Sequence, residues 1–183
     1  MITLDSISKS FGSRTLFEDV TMTFNPGIRY GLTGPNGCGK TTLFKIIAGA
    51  EFSTTGNITL PPSVGILKQN IEAFRDYTDL EVVIMGNKRL WDVLQERDGL
   101  YEQEITDTVG LRLGEIEEVI AEEDGYSADS DAEILLEGIG IDINDHTKKM
   151  HMLPSDMQFR VLLCQALFGN PQALLLDEPT NHM

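Results

Sequence analysis

The 183-residue chain carries 29 acidic and 14 basic residues, a formal net charge of -15, and is 41% hydrophobic. That balance excludes a nucleic-acid-binding face as the dominant surface and supports a globular core with room for an insertion. No apolar stretch approaches the ~18 residues of a membrane span. Met1-Ile2-Thr3-Leu4-Asp5 lacks the basic start of a signal peptide, and two cysteines make no disulfide framework, so a cytoplasmic protein is expected.

Residues 1–25 alternate apolar and polar positions, with Ile2, Leu4 and Ile7 before a turn at Gly12-Ser13 and Val20, Met22 and Phe24 after it. The pattern predicts an antiparallel hairpin. Phe11 precedes the turn glycine, a poor place for a core side chain, and is a candidate to stack on a base. After the turn Asn25-Pro26-Gly27, the apolar run Ile28 to Thr33 predicts a strand. It feeds Gly34-Pro35-Asn36-Gly37-Cys38-Gly39-Lys40-Thr41, which fits G-x-x-x-x-G-K-T, and a helix from Thr41 to Ala50 with Leu43, Ile46 and Ile47 at helical spacing. Chemistry explains the residue types. Glycines let successive backbone N-H groups curl inward, and the helix N-terminus adds partial positive charge. Lys40 would reach the β- and γ-phosphates and the Thr41 hydroxyl would ligate Mg²⁺.

Short strands follow at Asn57 to Leu60 and Val64 to Lys68; Gln69, at the carboxyl end of the second, is a candidate Mg²⁺ or water ligand. From Leu80 to Leu136 the pattern is helical, with Leu90, Val93 and Leu94 on one face and Leu113, Ile116 and Ile120 on another. The acidity is concentrated here: Ile71 to Asp145 holds 22 acidic and 5 basic residues, against 7 and 9 elsewhere. Such a segment is a solvated face or a surface for a basic partner. Ser155 to Phe168 predicts a helix, and Ala173 to Leu176 a fully buried parallel strand ending in Asp177-Glu178. Opposite a phosphate loop, Asp177 would hold Mg²⁺ and Glu178 would polarise the attacking water as general base.

Phe11, GPNGCGKTT, Gln69, the helical stretch, LPSDMQFRVLLCQAL and LLLDEPTNH, in that order, resemble the ATP-binding-cassette ATPases from end to end. Glu178-Pro179-Thr180-Asn181-His182 is similar to the form found in the ABC-F subfamily of soluble twin-cassette proteins that act on ribosomes. The resemblance implies an α/β P-loop ATPase in three parts: a β subdomain with the phosphate-loop core (1–70), an acidic helical arm (71–150), and a signature helix with the Walker B strand (151–183). It implies Mg²⁺-ATP, with nucleotide held by Phe11, Gly34, Pro35, Asn36, Gly37, Cys38, Gly39, Lys40, Thr41 and Thr42, metal by Thr41, Gln69 and Asp177, and catalysis by Glu178. A second cassette would complete the ATP site, and the acidic arm would meet a basic ribosomal component. Family members continue beyond Walker B with further sheet strands and a second cassette, so this chain is expected to be part of a longer protein and to hydrolyse little alone. A transporter's ATPase subunit and a nucleotide-binding module without turnover are the rival readings.

One departure stands out. Leu153 to Arg160 aligns with the family signature L-S-G-G-Q-x-x-R, yet Pro154 replaces the serine, and Ser155 and Asp156 replace both glycines. A signature helix N-terminus offers a hydroxyl, N-H groups and dipole charge to a partner's γ-phosphate. Pro154 has neither hydroxyl nor N-H, and Asp156 sets a carboxylate against phosphate, opposed by about 4 kcal/mol at contact for an effective dielectric of 20. Pro, Ser and Asp all suit a first helical turn. The expectation is a helix kept for folding whose anion site is neutralised, and an asymmetric pair of ATP sites.

Overall fold

The computed structural model describes residues 1–67, 70–104 and 106–177. The described chain forms two compact units, Met1–Ile66 with residues 171–177, and Leu67–Asn170.

In the first unit, β1 (Ile2–Phe11) and β2 (Arg14–Phe24) form the expected hairpin, with Phe11 opposite Arg14 across Gly12-Ser13, and β3 (Thr55–Thr59) pairs antiparallel on the other side of β1. The alternation of β1 is interrupted once. The ladder shifts register between Leu4 and Ile7, where Ser6 takes a φ of 50°, so Ile2 and Leu4 before the bulge and Ile7 and Lys9 after it are all buried. Beneath them packs α1 (Lys40–Ile47), whose Leu43 and Ile47 join Ile2, Leu4, Ile7, Phe17 and Ile58. Ala173 and Leu175 of β5 (Ala173–Leu175) close the same core, and β5 pairs in parallel with β4 (Val64–Ile66).

Two sequence expectations need correction. Ile28 to Thr33 forms no strand, and Ile28, Tyr30 and Leu32 are exposed. A strand exists only with a ladder partner, and no described strand pairs with this segment. It is tethered instead by the Tyr30 hydroxyl, which accepts from Asn25 N at 3.0 Å, and by the edge-on contact of Tyr30 with Phe24. Nor is β5 fully buried: it has one strand neighbour among the described residues, and Leu174 is 38% exposed. Leucine content reported apolarity; burial depends on what lies alongside.

The second unit is helical, as the periodicity predicts. α2 (Asp79–Ile84) begins with a capping box between Thr78 and Glu81, α3 (Lys88–Tyr101) with Asn87 accepting from Leu90 N at 3.1 Å, and α4 (Asp107–Glu122) with Thr106 accepting from Val109 N at 3.3 Å. α3 and α4 form an antiparallel pair. Arg89 near the start of α3 reaches Glu122 and Glu123 at 2.6 Å, while Arg112 near the start of α4 reaches Glu96 at 2.6 Å. Leu90, Ile116 and Ile120 of this pair share one core with Ala132 and Leu136 of α5 (Ala128–Gly138) and with Val161, Leu162 and Cys164 of α6 (Ser155–Leu167). Truncating such a buried leucine costs about 2–5 kcal/mol. α2 and α6 approach closely: a Cβ on Gly86 would lie 2.0 Å from the Gln165 carbonyl oxygen. Among the described residues no helix is long and apolar enough to cross a membrane.

Candidate phosphate-binding site

The loop from Gly34 to Lys40 joins the tethered segment to α1, and its backbone is one that side chains would obstruct. Gly37 and Gly39 take φ of 78° and 103°, and a Cβ on Gly39 would lie 2.9 Å from Leu16 Cγ and 3.0 Å from Phe17 Cδ1 of β2. Glycine at 39 therefore answers both a left-handed backbone and a close approach. It is the N-cap of α1, which starts with no side-chain cap and no acidic residue in its first turn. A helix start of this kind leaves backbone donors and dipole charge uncompensated, which suits an anion.

Lys40, the first residue of α1, folds back over the loop, where Nζ donates to Gly34 O at 2.7 Å and to Pro35 O at 3.1 Å. Those carbonyls hold the ammonium above the cradle. Pro35, Asn36, Gly37 and Cys38 are exposed, Thr41 is exposed and Thr42 is half-buried. The loop is an open cradle; of two concavities in the helical unit, one is lined by Glu137 and Gly140 to Ile143 and the other by Ile71, Glu72, Arg75, His151 and Gln158. The donor set fits a nucleotide triphosphate.

Other candidates divide by location. Phe11 at the hairpin tip and Asp177, two residues beyond β5, belong to the same unit as the loop; Phe11 is 54% exposed and Asp177 half-buried. Gln69 and Glu178, with Pro179 to His182, lie outside the described residues.

The signature stretch belongs to the helical unit. Leu153 is buried, Pro154 occupies the N-cap of α6 with no side-chain cap bond, and Asp156 is the acid of its first turn. Gln158 Nε2 braces the approach by donating to Met150 O at 2.7 Å and Leu153 O at 3.0 Å. Arg160 faces Asp156 at 3.6 Å and donates to Ile139 O at 3.2 Å. Both members of that ion pair are well exposed, so its attraction is largely screened.

Sequence reasoning missed Lys9, which is only 7% exposed. Its ammonium lies 4.8 Å from the centre of the Phe11 ring. The two-residue spacing was the available signal, because alternation places residues 7, 9 and 11 on one face.

A glycine-rich loop at the N-terminus of α1, in a unit whose strands β4 and β5 run parallel, is the architecture of a P-loop ATPase cassette. The ABC transporter family matches residues 17–181, and the chain belongs to that family. Over its whole length it is 47% identical to the uncharacterized ABC transporter ATP-binding protein YkpA of Bacillus subtilis (strain 168), spanning 34% of that protein. It is 31% identical, over 99% of its length, to the energy-dependent translational throttle protein EttA of Mycobacterium tuberculosis (strain CDC 1551 / Oshkosh), spanning 33% of that protein. The chain thus covers about a third of the length of these relatives. Among solved structures, the dimeric bacterial ABC transporter cassette MJ0796 shares the fold, with a TM-score of 0.66 at 20% identity over all of this chain and 76% of that one.

Proposed function

We propose that this chain is a Mg²⁺-ATP-binding cassette that hydrolyses ATP in company with a second cassette, within a cytoplasmic ABC-F-like protein acting on the ribosome. The observation that carries the nucleotide reading is the Lys40 ammonium, 2.7 Å from Gly34 O, poised over an α1 N-terminus free of acids.

In this reading Lys40 exchanges its two loop carbonyls for the β- and γ-phosphate oxygens, and N-H groups of the Gly37 to Thr42 stretch surround the phosphates. Thr41, Gln69 and Asp177 would hold Mg²⁺, which would supply charge neutralisation for the phosphates. Phe11 takes one face of the base. Glu178 accepts the proton of the attacking water.

The signature reading also belongs here. α6 presents Pro154 and Asp156 where an anion site needs a hydroxyl and bare N-H groups, and Arg160 at 3.6 Å only partly offsets the carboxylate. The site built on Gly34 to Thr42 and Glu178 is then competent when completed by another cassette's signature. The site that depends on LPSD binds or turns over ATP poorly.

The ribosomal reading is supported by the likeness to a translational throttle protein and by the arm's charge. Each of the five basic residues between Ile71 and Asp145 pairs with a neighbouring acid, as Arg75 with Glu72, Lys88 with Asp92, Arg89 with Glu122 and Glu123, Arg97 with Asp98, and Arg112 with Glu96 and Glu115. The arm's outward field stays negative, which fits a basic protein better than RNA.

Titration calorimetry on the full chain tests the nucleotide reading: Lys40→Met should weaken ATP binding about 30- to 150-fold, the worth of a charge-assisted contact of ~2–3 kcal/mol. Unchanged affinity contradicts it. Co-sedimentation with ribosomes that weakens with salt supports the arm's role, and failure to co-sediment at low salt counts against it.

A further inference from the structure

Lys9 is buried at the end of the core face of β1, and its ammonium is fully committed. Nζ donates to Glu51 Oε1 at 2.8 Å and to Phe52 O at 2.7 Å, and lies 4.8 Å from the centre of the Phe11 ring. An ammonium has three donors, and one removed from water needs partners for them. Two oxygens take two, and the ring face takes the remaining side at a distance typical of a cation-π contact. One face of Phe11 is thereby occupied from within the fold, while the ring remains 54% exposed.

The far end of this tether is equally specific. Glu51 N donates to Lys45 O at 3.2 Å and Ala50 N to the same oxygen at 2.8 Å, so Glu51 sits on the C-terminal cap of α1. The N-terminus of α1 is the phosphate cradle. The chain Phe11, Lys9, Glu51, α1 therefore links the hairpin tip to the phosphate loop through a helix of eight residues, about 12 Å long.

We propose that Lys9 is a positioning residue for nucleotide recognition: it pins one face of Phe11 so that the other is presented to the purine base, and its bond to Glu51 fixes that platform relative to the phosphate cradle. The inference rests on the reading of Phe11 as the base platform and names what orients it. A half-exposed phenylalanine at a hairpin tip otherwise loses rotamer freedom when it stacks, and a platform already held avoids that loss.

Affinities of the full chain for ATP and for inorganic tripolyphosphate, which has no base, test the proposal. Lys9→Met should weaken ATP five- to tenfold, leave tripolyphosphate unchanged, and add less than twofold in a Phe11→Ala background; Lys9→Arg should restore most of the ATP affinity. An equal loss for tripolyphosphate, or the full loss persisting without the Phe11 ring, overturns it, because Lys9 would then merely support the fold. If Lys9→Met does not fold, Glu51→Gln serves, with a two- to threefold loss confined to ATP expected and no loss overturning the proposal. Unchanged ATP affinity in Phe11→Ala alone sinks the base-platform reading and this inference with it, whereas a wild-type chain that binds neither ligand sinks the nucleotide reading itself.

Discussion

Two helix N-termini in this chain carry opposite chemistry. α1 starts from a left-handed glycine with no acid in its first turn and a lysine folded over the approach; α6 starts from Pro154 with Asp156 in its first turn and Arg160 one turn on. For folding, α6 gains from the early acid Asp156, which complements the helix dipole, although Pro154 at its N-cap supplies no side-chain cap. For binding an anion, α1 is the better. Helix stability and anion capture make opposite demands on the same three or four positions, and the chain meets one demand at each helix.

A third start sharpens the contrast. Asp79, the first residue of α2, is also an acid in a first turn, yet it is fully buried and neither carboxylate oxygen has a hydrogen-bond partner among the described residues. Burial pushes its carboxyl up to about 6, with Asp145 raising it further and His146 and Lys148 opposing.

The largest expected effect comes from breaking the α1 start. Gly39→Ala puts a methyl 2.9 Å from Leu16 Cγ on a φ of 103°, so it should cost about 2–3 kcal/mol in denaturant unfolding and abolish measurable ATP binding. Normal ATP affinity in this variant would show that the loop can rearrange around a side chain.

At α2 the expected effect is about 2–3 kcal/mol and depends on pH. The folded-state pKa of about 6 lies above the ordinary aspartate value of about 3.9, so the folded chain binds the extra proton. That contribution is fully present below about pH 4 and is lost as pH rises through 6. Asp79→Asn should therefore gain stability over the wild type between pH 4 and pH 7.5, read as the difference between their unfolding midpoints. A constant difference across that window would mean that Asp79 is not protonated in the fold.

Smallest is the repair of α6. Pro154→Ser with Ser155→Gly and Asp156→Gly should raise ATP turnover of the full-length protein about twofold, by adding a second working site to the one that already turns over, while lowering the stability of the helical unit by about 1 kcal/mol through the glycines. Unchanged turnover would mean that α6 does not limit the reaction.

What the sequence disclosed follows from how local each feature is. The hairpin turn at Gly12-Ser13, the loop glycines and the helical periodicity around Leu90, Ile116 and Ile120 are set by neighbours a few residues away, and all were legible. The strand expected at Ile28 to Thr33 and the full burial expected of Leu174 depend on a laterally adjacent strand, which no local pattern specifies. Lys9 carried no local signal, because its partners Glu51 and Phe52 are more than forty residues away. The burial of Asp79 was likewise not legible, since it meets Lys148 O through its backbone N and faces the charges of Asp145, His146 and Lys148, all far along the chain.

The difference between the two helix starts is tested most directly by ATP turnover of the full-length paired protein after Glu178→Gln. If the site built on this chain's phosphate loop is the competent one, removing its general base should leave less than about a tenth of wild-type turnover, since general bases contribute 10²–10⁴-fold and the site dependent on LPSD compensates little. If most of the activity survives, the LPSD-dependent site is doing the hydrolysis and the asymmetry runs the other way.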